Sequence, residues 1–220
     1  MKLLRLILLP VILLLSGCFI RPISEWPSPD EPCPGFISQY HYINKYIEIE
    51  AQNDESSITV RFYTIADDLE TTATKVWWKN DDIYQMMKEK YGDDQTWTYE
   101  SVSPDDNAFV ESINAISIKS TPAWSEDYSA TSSLNDIFEV EYATYKYFVE
   151  SGFDEDFGGM RRWRTERKRV SELQEDDMWF IRTDFSLICT TPPGDERERH
   201  LKVTLSLDTG EEIMYRVKVN

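Results

Sequence analysis

The side chains that could do chemistry here are few, and their spacing narrows what that chemistry is. Two histidines occur, His41 and His200, so a zinc site or a Ser-His-Asp triad would have to recruit one of them. His200 opens an alternating stretch and reads as a surface residue. His41, between Tyr40 and Tyr42, reads as packing. No HExxH, CxxC or GxSxG spacing is present, and no glycine-rich phosphate loop. Asp154-Glu-Asp156-Phe-Gly-Gly159 begins like a calcium loop. It puts Gly158 at the fifth position, where a ligand is needed, and arginines follow at 161, 162, 164 and 167. The expectation is a noncatalytic chain with no metal or other cofactor.

Binding chemistry is better represented. Arg161, Arg162, Trp163 and Arg164 open a basic run that continues to Arg169, in a chain of formal charge −17. Guanidinium groups recognise carboxylates and phosphates through paired hydrogen bonds, and indole rings present flat apolar faces. Trp77 and Trp78 are adjacent, so on a strand they would face opposite ways and one could be exposed. These six residues are the candidate ligand contacts. The competing expectation is that the basic run pairs internally with Glu172, Glu175, Asp176 and Asp177, which a helix over the stretch would bring within reach.

The amino terminus carries an address. Lys2 and Arg5 precede an apolar run from Leu6 to Leu15, which is too short to cross a bilayer unaided. Leu15-Ser16-Gly17-Cys18 resembles the lipobox of bacterial lipoproteins. That resemblance implies a signal peptide over 1–17, acylation of Cys18 (diacylglycerol and palmitate-type chains) and a new amino terminus at Cys18. It further implies a membrane anchor in the cell envelope. Phe19 stands where an aspartate would favour inner-membrane retention, which implies the outer membrane. Without Lys2 and Arg5 the charge becomes −19, so nucleic acid and anionic membrane surfaces are poor partners by net charge, and the lipid must hold the domain. Cys33 and Cys189 remain as a candidate disulfide in an oxidising compartment.

Positioning elements follow from periodicity. Residues 18–35 hold five prolines and read as an extended, lipidated tether, and 36–220 reads as a single β-rich domain. Strands are expected over 46–51 and 57–65 as a hairpin, and over 74–78, 99–103 and 115–119. A strand over 184–190 is expected beside a closing hairpin of 200–207 and 212–219. A helix with Ile83, Met86, Met87 and Tyr91 on its apolar face should start near Asp81 and stop at Gly92. The fold expected is mainly β, an antiparallel β-sandwich-like domain with one or two inserted helices, with α+β as the alternative.

"ISIKSTPAWSEDYSATSSLNDIFEV" and "FSLICTTPPGDERERHLKVTLSLDTGEEI" resemble segments of a family of uncharacterised Bacteroidetes putative lipoproteins. The resemblance implies a glycine near position 131, where this chain has Thr131, and supplies no catalytic residue. The functional expectation is a binding or structural module with a glycan or envelope-protein partner. The alternatives are a hydrolase using paired carboxylates and an acidic inhibitor or immunity-type protein for a basic partner.

Overall fold

The computed structural model describes residues 32–33, 35–43, 47–54, 57–64, 76–77, 81–98, 106–154, 161–193, 195 and 197–219. In chain order the strands are β1 (Pro32–Cys33), β2 (Gln39–His41), β3 (Ile47–Asp54), β4 (Ser57–Thr64), β5 (Val76–Trp77), β6 (Trp97–Thr98) and β7 (Asn107–Phe109). They continue as β8 (Ile113–Thr121), β9 (Phe138–Thr144), β10 (Arg164–Arg169), β11 (Ile181–Cys189), β12 (Arg199–Leu207) and β13 (Glu212–Val219). The helices are α1 (Asp81–Tyr91) and α2 (Lys146–Glu150).

Alternation in the sequence becomes a sandwich. Residues of β9 and β11 are buried at every second position, and β12 follows the same rule, so each strand offers one apolar face. An antiparallel sheet of order β10-β9-β11-β4-β3 and a second of order β13-β12-β8 share one core. Val60, Phe62, Val140, Phe185 and Leu187 come from the larger sheet, and Ile116, Ile118, Leu201, Val203 and Leu205 from the smaller. Register places Phe185 opposite Phe62, and their rings stack with centroids 4.6 Å apart. Each such side chain contributes roughly 1.5–3 kcal/mol on burial. The domain is mainly β and sandwich-like, as its periodicity predicts.

Both expected hairpins form, β3–β4 and β12–β13, the second turning through Gly210 at φ 83. One neighbour relation differs. The strand over 184–190 is β11, and it lies between β9 and β4 in the larger sheet rather than beside β12. Alternation sets which face is apolar but does not say which sheet receives it. Pairing also extends into the expected tether: Pro32–Cys33 pair antiparallel with Trp97–Thr98, and Gly35 is buried. Proline is tolerated there because a short edge strand leaves its nitrogen unneeded. The 74–78 strand is represented by β5 alone, and the 99–103 strand lies outside the described residues.

A second core, largely aromatic, packs against one end of the sandwich. It gathers Phe36, Tyr40, Tyr84, Met87, Tyr91, Trp97, Tyr145, Phe148 and Phe180. α1 lies on it through Tyr84, Met87 and Tyr91, while the expected Met86 is 45% exposed. The expected Ile83, Met87 and Tyr91 do face this core, and Tyr84 takes the place expected of Met86, its hydroxyl donating to the Ser38 carbonyl oxygen at 2.8 Å. β2 pairs in parallel with β7, whose Phe109 joins the sandwich core and whose Ala108 joins the aromatic one. That strand ties the two cores together.

The 131–135 loop covers the free edge of β8. Asn135 accepts from the Ile118 N–H at 2.9 Å and donates to the Ile116 carbonyl oxygen at 2.8 Å, as a neighbouring strand would. Thr131 sits at φ 68, a left-handed conformation that a β-branched residue enters at a cost of roughly 1–2 kcal/mol. Thr131→Gly relieves that strain, offset by about 0.5–1 kcal/mol of added chain entropy. The melting midpoint should therefore rise by about 2–4 °C, corresponding to about 1 kcal/mol. A midpoint that stays level or falls would show the turn to be unstrained.

Candidate functional site

The basic run is an edge strand, not the helix that would have set it against its acidic neighbours. β10 pairs with β9 so that Arg167 and Arg169 lie opposite Glu141 and Glu139. Much of the run is internally paired even so. Arg167 bonds Glu139 at 2.6 Å, Lys168 bonds Asp177 at 2.5 Å, and Arg169 lies 3.6 Å from Glu172.

The four candidate residues at its start separate. Arg162 turns inward and pairs with buried Asp106 at 3.2 Å. Its guanidinium lies over Trp97 at 4.9 Å and Phe148 at 5.6 Å, which makes it a support of the aromatic core rather than a ligand contact. Arg164 lies over Tyr147 at 5.1 Å, and strand alternation turns it to the side opposite Thr165. Arg161 and Trp163 remain at the surface. Trp163 is half-buried, packed against the aromatic core on one side, with Arg161 over its ring at 5.0 Å and Arg182 at 4.8 Å.

Around this ring the outer face of the larger sheet forms an open groove of about 190 Å³. Trp163 and Thr165 come from the entry to β10, Glu141 and Ala143 from β9, and Arg182, Asp184 and Ser186 from β11. β9 and β11 present alternate residues outward, so the groove is lined mostly by positions the sandwich core does not use, with Tyr142 and Phe185 of that core bordering it. Asp184 is shared loosely between Arg182 at 3.8 Å and Arg61 at 3.9 Å. Arg161 and Glu141 have no ion-pair partner among the described residues. The groove thus offers donors, acceptors and an indole ring within one concavity.

Sequence reasoning reached Arg161 and Trp163 and missed Arg182, Glu141, Asp184 and Ser186. Those four are outward residues of ordinary alternating strands, and only the β10-β9-β11 order brings them beside Trp163. Trp77 belongs to β5 with its side chain outside the described residues, and Trp78 lies outside them altogether. Cys189 is a free, buried thiol in the sandwich core, where burial pushes it up to about 11. The Cys33 side chain and Cys18 lie outside the described residues.

Two buried carboxylates lie away from the groove. Asp93 is raised by burial and accepts the Trp97 indole N–H at 2.9 Å. Glu111 is raised by burial and accepts the Ile43 N–H at 3.1 Å, with Asp208 and Glu211 adding to the rise. A carboxyl raised on folding holds its proton more tightly in the folded chain, so stability falls as pH climbs from the unfolded value through the folded one. Glu111→Gln keeps an acceptor for Ile43 and removes the charge. It should raise the melting midpoint at pH 7 and leave it unchanged below about pH 3, where the carboxyl is protonated in both states. Equal midpoints at pH 7 would show that the buried charge costs nothing.

Comparison of the chain with protein-family models, curated proteins and solved structures finds no match.

Proposed function

We propose that this chain is a lipid-anchored, noncatalytic binding module of the bacterial cell envelope, and that the Trp163 groove takes an acidic glycan. Residues 1–17 serve as the signal peptide and Cys18 as the acylated residue, placing the domain at the outer membrane. The observation that carries the binding proposal is the pair of guanidinium groups, Arg161 and Arg182, held over one indole ring in a polar groove. Guanidinium engages the carboxylate of a uronic-type sugar, and the Trp163 ring beneath holds the two guanidiniums together. Glu141, Asp184, Thr165 and Ser186 accept or exchange hydrogen bonds with hydroxyls. The polarity of the groove favours a glycan over an envelope protein, because protein contact surfaces centre on desolvated apolar anchors. The large exposed apolar side chains among the described residues, Met86 and Met214, lie elsewhere.

Calorimetric titration with uronate-containing and neutral oligosaccharides tests the binding. Binding of the uronate series only, weakened at least about 30-fold by Trp163→Ala, is the expected result. Equal affinity for neutral sugars, or no loss in the variant, would reject it. Intact mass and membrane fractionation of wild type and Cys18→Ala test the anchor separately. Wild type should carry acyl mass and sediment with membranes, and the variant should lack that mass.

A further inference from the structure

The outer face of the smaller sheet carries a row of charge that the rest of the chain does not predict. Register sets Lys202 of β12 directly opposite Lys119 of β8 on one side and Arg216 of β13 on the other. All three side chains are exposed. They span three adjacent strands, about 10 Å, on one face. None has a carboxylate partner among the described residues, although the chain holds 40 acidic residues. The nearby Lys218 and His200 do have one, in Glu198 at 2.7 and 3.3 Å. Like charges directly across strands are destabilising, so this row lowers the stability of the sheet that carries it. On one side of the row the face continues with Ala115, Ser117, Thr204 and Ser206, ending at Glu212, and on the other with Thr121, His200 and Lys218. It also bears Met214, 53% exposed and two residues from Arg216 along β13.

We infer that this face is a docking surface for an anionic lipid bilayer. Three exposed cations aligned on one sheet face match a plane of repeating phosphate headgroups, and the exposed methionine beside them enters the interface as apolar anchors do. Net charge argues against such contact only on average. At physiological salt each charge acts over about 8 Å, so the local row governs which face approaches the membrane. The inference depends neither on the Trp163 groove nor on lipid at Cys18.

The test uses the chain beginning at Phe19, which keeps every described strand and helix, and vesicles of phosphatidylcholine with or without about 30% phosphatidylglycerol. Co-sedimentation with the anionic vesicles alone, lost at about 0.5 M salt, is expected. Each charge should contribute about fivefold, so the Lys119→Ala, Lys202→Ala, Arg216→Ala triple variant should bind on the order of a hundredfold more weakly. Arg161→Ala should bind within about twofold of wild type, since Arg161 precedes β10 of the larger sheet and lies off this face. The triple variant should melt no lower than wild type, which separates lost binding from lost folding. Equal sedimentation with both vesicle types, wild-type binding by the triple variant, or binding to soluble polyphosphate but not to vesicles would each overturn the inference.

Discussion

Replacing Phe36 with alanine should lower stability by about 3–5 kcal/mol, a large fraction of the 5–15 kcal/mol typical of a domain. Phe36 is 2% exposed and stands at the centre of the aromatic core. Its ring centroid lies 5.0 Å from Phe148, 5.6 Å from Tyr145, 5.7 Å from Phe153 and Phe180, and 5.8 Å from Trp97. Those partners come from α2 and its cap, the turn after it, the approach to β11, and β6. One ring therefore joins segments that share no sheet. Its removal leaves a cavity bordered by rigid rings, which relax poorly, and forfeits several edge-to-face contacts. Urea unfolding should place the midpoint far below wild type, with Phe36→Leu losing less than half as much. A change under about 1 kcal/mol would mean the aromatic core does not support the fold.

Arg199→Met should cost a comparable amount, about 3–5 kcal/mol, although it exchanges one long side chain for another. Arg199 is 1% exposed at the start of β12. It donates to the carbonyl oxygens of Ala123 at 3.2 Å, Trp124 at 3.1 Å and Arg197 at 2.8 Å, and pairs with Asp195 at 2.7 Å. The same guanidinium, together with Arg197, holds the Asp195 carboxyl well below the usual carboxylate range. Trp124 is pinned from its other end by donating to the Thr191 carbonyl oxygen at 2.9 Å. Methionine fills much of the volume but satisfies none of these acceptors. Arg199→Lys restores the charge without the planar fork that reaches three carbonyls at once, so it should recover only part of the loss. Thermal unfolding of the three proteins decides the point. Equal midpoints for arginine and methionine would assign the site to packing alone.

How much of this was readable in the chain depends on the range of the interaction involved. The hairpins at 47–64 and 199–219 were readable because alternation and turn residues are local. The partner of β11 was not, since its apolar alternation fits either sheet equally well. The buried face of α1 was readable at Ile83, Met87 and Tyr91 but not at Tyr84, which enters the core where Met86 was expected and whose hydroxyl bond to Ser38 spans distant segments. Within the groove, Arg161 and Trp163 stood out as a basic and aromatic cluster in an acidic chain. Arg182 and Glu141 carry no local mark, and the same holds for Lys119, Lys202 and Arg216, which only register aligns. Arg162 shows the reverse error: its type and place match its neighbours, yet the buried Asp106 takes it inward.

The Trp163 groove as the contact surface is best tested by following indole N–H resonances while an acidic oligosaccharide is titrated into the protein. The Trp163 signal, assigned by Trp163→Phe, should shift and saturate, while those of buried Trp97 and Trp124 stay in place. A saturating shift at other indoles with Trp163 unmoved, or no shift at any indole, would contradict it.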